Sequence, residues 1–492
     1  MPELERFQHY IAGAFESPAE SFESLDPATG HPWALMPTAS AQDVDRAVRA
    51  ADAALRAPAW AGLTATARGK LLFRLADLLA EAAPRIAALE TRDTGKIIRE
   101  TGSQIAYIAE YYRYYAGLAD KLMGQSVPVD KPEMDVVLRR EPVGVVAAIV
   151  PWNSQLFLAA VKLGPALAAG CTVVLKAAED GAAPLLEFAR VVHAAGFPPG
   201  VVNIITGSGA ECGYTLTSHP LVARIAFTGG PETARHILRN SAANLAATTL
   251  ELGGKSPILV FEDADIDNVC SAVIAGIFAA SGQSCVAGSR LLVQRKLLAS
   301  LLEKLKARAE QIVIGDPSSA ETQMGPLATA RQRDRALALI EQSIAAGADC
   351  ITGGSVPEGS AEGFYLRPTI LLCHSADAPC LREEFFAPVL SVIGFDTEEE
   401  ALALANDTKF GLASGIFTRD LARAHRLSRA IRAGVVWVNT YRVISPMVPF
   451  GGYKESGLGR EGGFEAILDY TRTKSVWINL SEAPLPDPFM MR

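Results

Sequence analysis

The middle of the chain alternates short, wholly apolar runs with longer amphipathic ones. Residues 143–150 are apolar and 157–169 have helical spacing; the pair recurs at 172–175 with 184–195, at 201–204 with 209–216, and at 225–227 with 232–239. Strands buried on both faces and separated by helices of about ten residues form a mostly parallel, doubly wound sheet. A second series opens at 257–261, with strands expected at 290–293, 389–395, 415–417 and 434–438. The chain therefore reads as α/β with two such units, and it lacks repeats at the solenoid periods of about 20 to 50 residues.

Ahead of these units the pattern is helical. Ser40, with Asp43 three residues on and Val44, Ala47, Val48 and Ala51 following, predicts a capped amphipathic helix. Residues 68–89 predict a second helix, and Trp60, between Pro58 and Gly62, is expected in a turn. Residues 104–122 have helical period, with tyrosines at 107, 111, 112, 114 and 115 that are expected mainly to pack. Residues 128–141 read as an extended excursion, and 269–280 as a helix.

At 492 residues the chain is too long for one core. Apolar residues make up 49% and charged ones 20%, which is ordinary for a folded protein. A net charge of −8 with no basic run argues against nucleic acid as a partner. The most apolar stretches, 143–152 and 156–170, are too short to span a bilayer, so no membrane association is expected. The N-terminus has no cationic-then-apolar order, which makes the expected location cytoplasmic. Seven cysteines without a CxxC spacing, and seven scattered histidines, point to neither a disulfide framework nor a metal site.

Two cysteine and carboxylate motifs carry chemistry. Glu251 lies in Leu250-Glu251-Leu252-Gly253-Gly254-Lys255-Ser256-Pro257, and Cys285 in Gly282-Gln283-Ser284-Cys285-Val286-Ala287-Gly288. A thiol that attacks a carbonyl, beside a carboxylate that draws a proton from water, can form a thioester and hydrolyse it. A lone cysteine is more often a small buried hydrophobe; the glycine-rich neighbours and Glu251 favour a nucleophile. Asn153 follows an apolar strand, where a helix N-cap and an oxyanion donor are both open readings. Gly229-Gly230-Pro231 reads as strand, glycine turn and helix start, suited to phosphate. Lys176 with Glu179, and Glu384 with Phe386, taken alone are a charged pair at a strand end and an acidic loop before a buried strand.

Together these motifs, from Asp26-Pro27-Ala28-Thr29-Gly30 to Pro449-Phe450-Gly451-Gly452-Tyr453-Lys454-Glu455-Ser456-Gly457-Leu458-Gly459-Arg460, resemble the NAD(P)-dependent aldehyde dehydrogenase superfamily, in its hydrolytic, non-acylating form. The resemblance implies a Rossmann-type cofactor domain (1–121 and 142–253) and an α/β catalytic domain (254–453). It also implies a small β oligomerisation element with a C-terminal tail (122–141 and 469–492), in a homodimer or homotetramer. Cys285 is then the nucleophile, Glu251 the base for the hydrolytic water, and Asn153 with the Cys285 N–H the oxyanion donors. NAD is the implied cofactor, held by Trp152, Lys176, Glu179, Gly229, Gly230, Glu384 and Phe386; Glu179 would repel a 2′-phosphate.

Several positions depart from the family pattern. Ala234 and Ala387 replace glycines, and Ser154 with Gln155 replaces an aromatic-proline pair. Arg472 stands where relatives have an acid implicated in a proton relay. Small Val161 and Ala279, and the unusual stretch around Ile444, imply a wide pocket. With Tyr107, Ser154, Leu158, Ser284, Val286 and Phe450 as its other walls, the expected substrate is a bulky or aromatic aldehyde. Two alternatives remain at this stage: a CoA-acylating enzyme, disfavoured by Glu251, and a non-catalytic scaffold, disfavoured by intact Cys285, Glu251 and Asn153.

Overall fold

A computed structural model describes residues 4–360, 362–485 and 487–489. The first sheet has a parallel core in the spatial order Ala247–Glu251, Val222–Thr228, Val145–Ile149, Thr172–Ala177, Val202–Thr206. Short antiparallel strands finish both edges, Gly457–Leu458 on one side and the hairpin His9–Ile11 with Ala14–Glu16 on the other. The core strands are mostly apolar because each is covered on both faces. One cover contains Leu72, Leu75, Tyr112, Tyr115 and Phe188; the other contains Val44, Val48, Leu216 and Ile237. Helix Gln155–Ala169 has no exposed stripe because it lies between the sheet and helices Ala65–Thr94 and Ile98–Leu118.

The second sheet follows the order Asp349–Thr352, Thr369–Leu372, Val389–Phe395, Arg290–Gln294, Pro257–Val260, Ala413–Phe417, Val435–Val438, with only its first strand antiparallel. A three-stranded antiparallel sheet joins Gln125–Ser126 and Met134–Pro142 to Thr471–Asn479. Both α/β series therefore appear as read, with boundaries shifted by a few residues. The capping box of Ser40 and Asp43 on helix Ala41–Arg56 also forms.

Trp60 differs from expectation. It lies in the one-turn helix Pro58–Ala61, is buried, and its Nε1 donates to Gly170 O at 2.9 Å. Burial of the large ring with its one polar atom satisfied outweighs the local turn signals. The small sheet of Glu5–Arg6, Glu20–Leu25 and Pro32–Thr38 was not anticipated.

The two main sheets are joined by residues 252–256, which leave Ala247–Glu251 and enter Pro257–Val260. The carboxyl ends of the first sheet thus face the segments that lead into the second, where crevices in open α/β folds form. Gly434, at the start of the last strand of the second sheet, packs so closely that a Cβ there would overlap the Gly451 carbonyl oxygen. Gly434→Ala should therefore cost about 1–3 kcal/mol of stability through overpacking, read as a lower midpoint in urea unfolding. A midpoint equal to the parent's would show that the 451 loop yields freely.

Candidate active site

Cys285 sits on a loop that its neighbours hold rigidly. Helix Ile266–Ile277 stops short of the expected residue 280, and Ala280, Ser281 and Gly282 all have positive φ, at 51°, 52° and 72°. Non-glycine residues adopt this conformation only when the surroundings impose it. Here the Glu100 carboxylate accepts from the Ala280 N–H at 2.9 Å, Ser281 Oγ donates to Gly325 O at 2.8 Å, and Gln283 Oε1 accepts from the Ala328 N–H at 2.9 Å. Asn153 Nδ2 donates to Gln283 O at 2.9 Å, which ties the first sheet's 150–154 turn to the cysteine loop.

Two cavities meet at this thiol. The larger, about 500 Å³, is walled mainly by Tyr111, Phe157, Leu158, Val161, Trp437 and Phe450. The smaller, about 200 Å³, lies between Trp152, Gly229, Gly230, Glu384 and Phe386. Asn153, Leu158, Thr228, Leu252 and Cys285 line both. Glu251 opens onto the larger one. All seven cysteines are free thiols, and Cys285 alone among them lines either of these cavities.

The expected pocket residues Ser154, Leu158, Val161, Ser284, Val286, Ile444 and Phe450 line the larger cavity. Tyr107 does not: it lies outside, 38% exposed, with its hydroxyl donating to Ile444 O at 3.2 Å. Tyr111, one helical turn further, takes the inner position. Ala279 is also absent from the wall. On the cofactor side, Trp152, Gly229, Gly230, Glu384 and Phe386 converge, whereas Lys176 and Glu179 lie outside this cavity. Lys176 is buried with Nζ donating to Ala177 O at 3.1 Å, and Glu179 is exposed. Both act electrostatically on the Cys212 thiol, so they share a corner with the turn Gly209–Gly213.

Burial dominates the electrostatics. The Cys285 thiol is pushed up to about 12 by desolvation, with the charges of Glu384 and Glu251 adding to the shift. Glu251 is 2% exposed, neither carboxyl oxygen has a hydrogen-bond partner, and desolvation followed by the Glu461 charge holds its carboxyl well above the usual range. Glu384 is raised to about 7 by burial, opposed by the Gly254 N–H, which donates to Oε1 at 2.9 Å.

Behind Glu251 lies a buried ion pair that sequence reading missed. Lys162 Nζ donates to Glu461 Oε1 at 2.5 Å and to Thr228 Oγ1 at 2.7 Å. The available signal was a lysine inside an otherwise apolar helix, since a buried ammonium requires a partner. Arg472 lies on the exposed strand Thr471–Asn479 and donates to Val143 O at 2.8 Å. The acid beside Glu251 is Glu461.

Fold and site together describe an α/β chain with a cysteine and a desolvated carboxyl at a crevice beside two mainly parallel sheets. Comparison with known proteins defines the family. The model of the aldehyde dehydrogenase family matches residues 15–476. The chain is 60% identical, over 99% of its length and all of the relative's, to (Z)-2-((N-methylformamido)methylene)-5-hydroxybutyrolactone dehydrogenase of Acinetobacter baylyi. Solved structures include an NAD+ complex of aldehyde dehydrogenase from Bacillus cereus, with TM-score 0.95, 39% identity and 97% of each chain covered. Betaine aldehyde dehydrogenase from Staphylococcus aureus, in complex with NAD+, superposes at TM-score 0.96 with 35% identity, covering 98% of this chain and 96% of that one. The chain belongs to the aldehyde dehydrogenase family and is an oxidoreductase acting on aldehydes.

With the thiol near 12, alkylation of Cys285 by iodoacetamide in cofactor-free protein should rise about tenfold per pH unit from about pH 7 to about pH 10, because only the thiolate reacts. Peptide mass mapping separates this site from the other thiols. Levelling off below about pH 9 would show that the thiolate is already formed and refute the desolvation argument.

Proposed function

We propose that the protein oxidises a bulky or aromatic aldehyde to its carboxylate, with NAD and water, through a covalent intermediate on Cys285. The observation that carries this reading is that Cys285 stands in the shared wall of both cavities while Glu251 opens onto the substrate side. The smaller cavity fits a nicotinamide ring and its ribose. Gly229 leaves space that a Cβ could not share with the Phe227 ring, Gly230 caps helix Pro231–Ser241, and Trp152 and Phe386 meet edge to face at 5.4 Å. NAD, when bound, supplies the hydride acceptor. Lys176 and Glu179 serve its adenosine ribose, further along the same sheet edge.

The Cys285 thiol gives its proton to Glu251, which passes it on towards Lys162 and Glu461, and sulfur adds to the carbonyl carbon to give a hemithioacetal alkoxide. Asn153 has a second amide hydrogen beyond the one given to Gln283, and the Cys285 N–H makes no backbone hydrogen bond, so both remain for the alkoxide. Loss of hydride leaves a thioester. Glu251 then takes a proton from the attacking water, and its raised affinity for protons suits that task near neutral pH. Carboxylate and free thiol result, and the proton passes towards Lys162 and Glu461.

A cavity of about 500 Å³ with aromatic walls supports a bulky substrate, as does the large substrate in the name of the Acinetobacter relative. The sheet formed by Met134–Pro142 and Thr471–Asn479 exposes Trp477 and Ile478, a surface suited to joining copies into a dimer or tetramer. Seven free thiols suit a cytoplasmic location, and no helix among the described residues is long and apolar enough to cross a membrane.

NADH should form with an aldehyde panel in the absence of CoA, and Cys285→Ala should abolish it while NAD still binds; strict CoA dependence would favour the acylating reading. Glu251→Gln should release one burst of NADH, up to one per active site, and then stall, because the thioester is no longer hydrolysed. It should also raise the melting temperature at neutral pH. Burial raises the Glu251 affinity for protons in the folded state, so above its unfolded value of about 4.3 ionisation disfavours folding, and Gln removes that penalty. Unimpeded steady turnover by Glu251→Gln would refute its role as base.

A further inference from the structure

The mechanism leaves one charged group in the substrate cavity without work. Arg442 is the sole basic side chain lining it among the described residues, in a wall that also holds the carboxyls of Glu251 and Glu461. The guanidinium forms no ion pair there. Among the described residues its one hydrogen bond is from Nη1 to Ala275 O at 2.7 Å, near the end of helix Ile266–Ile277, which leaves four of its five N–H groups available.

The backbone directs this side chain at some cost. Arg442 has φ of 63°, a left-handed conformation that non-glycine residues populate sparsely. The preceding residue anchors it to the reactive loop, since the Tyr441 hydroxyl donates to Val286 O at 3.0 Å, next to Cys285. Ser445 and Thr440 line the same stretch of wall and add hydroxyl donors.

We propose that Arg442 is a specificity-determining residue that binds a carboxylate carried by the aldehyde substrate. This rests on the aldehyde-oxidising reading above and names the substrate class within it: aldehydes bearing an acid group. An anion entering a largely apolar cavity beside two acids loses hydration and gains repulsion, so its binding requires a fixed cation. With Nη1 on Ala275 O, the Nε–Nη2 edge of the guanidinium is unengaged among the described residues, and such an edge matches a carboxylate by two parallel hydrogen bonds. The relative from Acinetobacter is named for a 5-hydroxybutyrolactone, and such a ring is the closed form of a 4-oxobutanoate, which carries aldehyde and carboxylate together.

The test compares kcat/KM for matched pairs: 4-oxobutanoate against its methyl ester, and 4-carboxybenzaldehyde against its methyl ester. The native protein should prefer the acid in at least one pair. Arg442→Met should lower the acid-to-ester ratio in that pair about thirtyfold or more, chiefly through KM, with Arg442→Lys retaining part of it. A purely structural role as a cap for Ala275 O would lower both members of a pair alike and leave the ratio unchanged, which overturns the proposal. So does a native protein that prefers the esters in both pairs. Should the variants not fold, inhibition decides: succinate should compete with a neutral aldehyde in the native protein and dimethyl succinate should not, and equal inhibition by the two overturns the assignment. Absence of NADH with every aldehyde would instead refute the oxidation itself.

Discussion

Two residues without side chains, Gly253 and Gly254, let the functional segments approach one another. A Cβ on Gly253 would overlap the Glu384 carboxylate, and one on Gly254 would come within 2.6 Å of Cys285 O. The strap between the two sheets therefore passes directly between the acid of the cofactor side and the backbone of the nucleophile. Similar contacts recur around it. A Cβ on Gly282 would overlap Ala387 O, and one on Gly451 would lie 2.7 Å from Glu251 Oε1. Such packing of backbone on backbone is possible only where glycine occupies the contact, and it brings Glu251, Cys285 and Glu384 to one crevice from three separate stretches of chain.

That closeness has an electrostatic consequence. Cys285, Glu251 and Glu384 are each driven towards the neutral form by the same loss of water, and the charges of Glu384 and Glu251 add to the shift on Cys285. In the free site the loss of water therefore raises the proton affinity of all three groups. Such groups exchange protons readily when a neighbouring charge changes, as it does when a cationic ring enters or an alkoxide forms. The Lys162–Glu461 pair shows the opposite solution to burial, with full charges compensated by contact. The protein thus keeps one acid of the cavity in an ion pair and leaves the other, Glu251, without one among the described residues, an arrangement that costs stability.

The parallel units were legible because strands buried on both faces write continuous apolar runs, and the motifs at their ends were legible because glycine, cysteine and acids are conspicuous there. What escaped depends on partners distant in sequence. Tyr107 and Tyr111 share one face of helix Ile98–Leu118, and the choice between them turns on how far along that face helix Gln155–Ala169 reaches, with Phe157 meeting Tyr111, a packing fact that tyrosine spacing alone does not contain. The end of the helix at Ile277 depends on Glu100, Gly325 and Ala328 pinning the loop after it. Glu461 was overlooked because its meaning comes from Lys162, 299 residues away. Trp60 was misplaced for the same reason, its partner being Gly170.

The strand order also explains why the expected cofactor residues divide into two groups. From the Glu251 strand the sheet steps through Val222–Thr228 and Val145–Ile149 to Thr172–Ala177, three intervals of about 4.8 Å, or about 14 Å in all. Gly229, Gly230 and Trp152 follow the two middle strands, and Lys176 lies at the far one. The expected cofactor residues are consequently spread along one sheet edge, with exposed Glu179 towards one end and Cys285, on the wall of both cavities, at the other. A long ligand lying along it would have one end in water and the other against the thiol. Desolvation raises the proton affinity of the free thiol, and a ligand's positive charge arriving beside it would favour the thiolate, coupling reactivity of the sulfur to occupancy of the crevice.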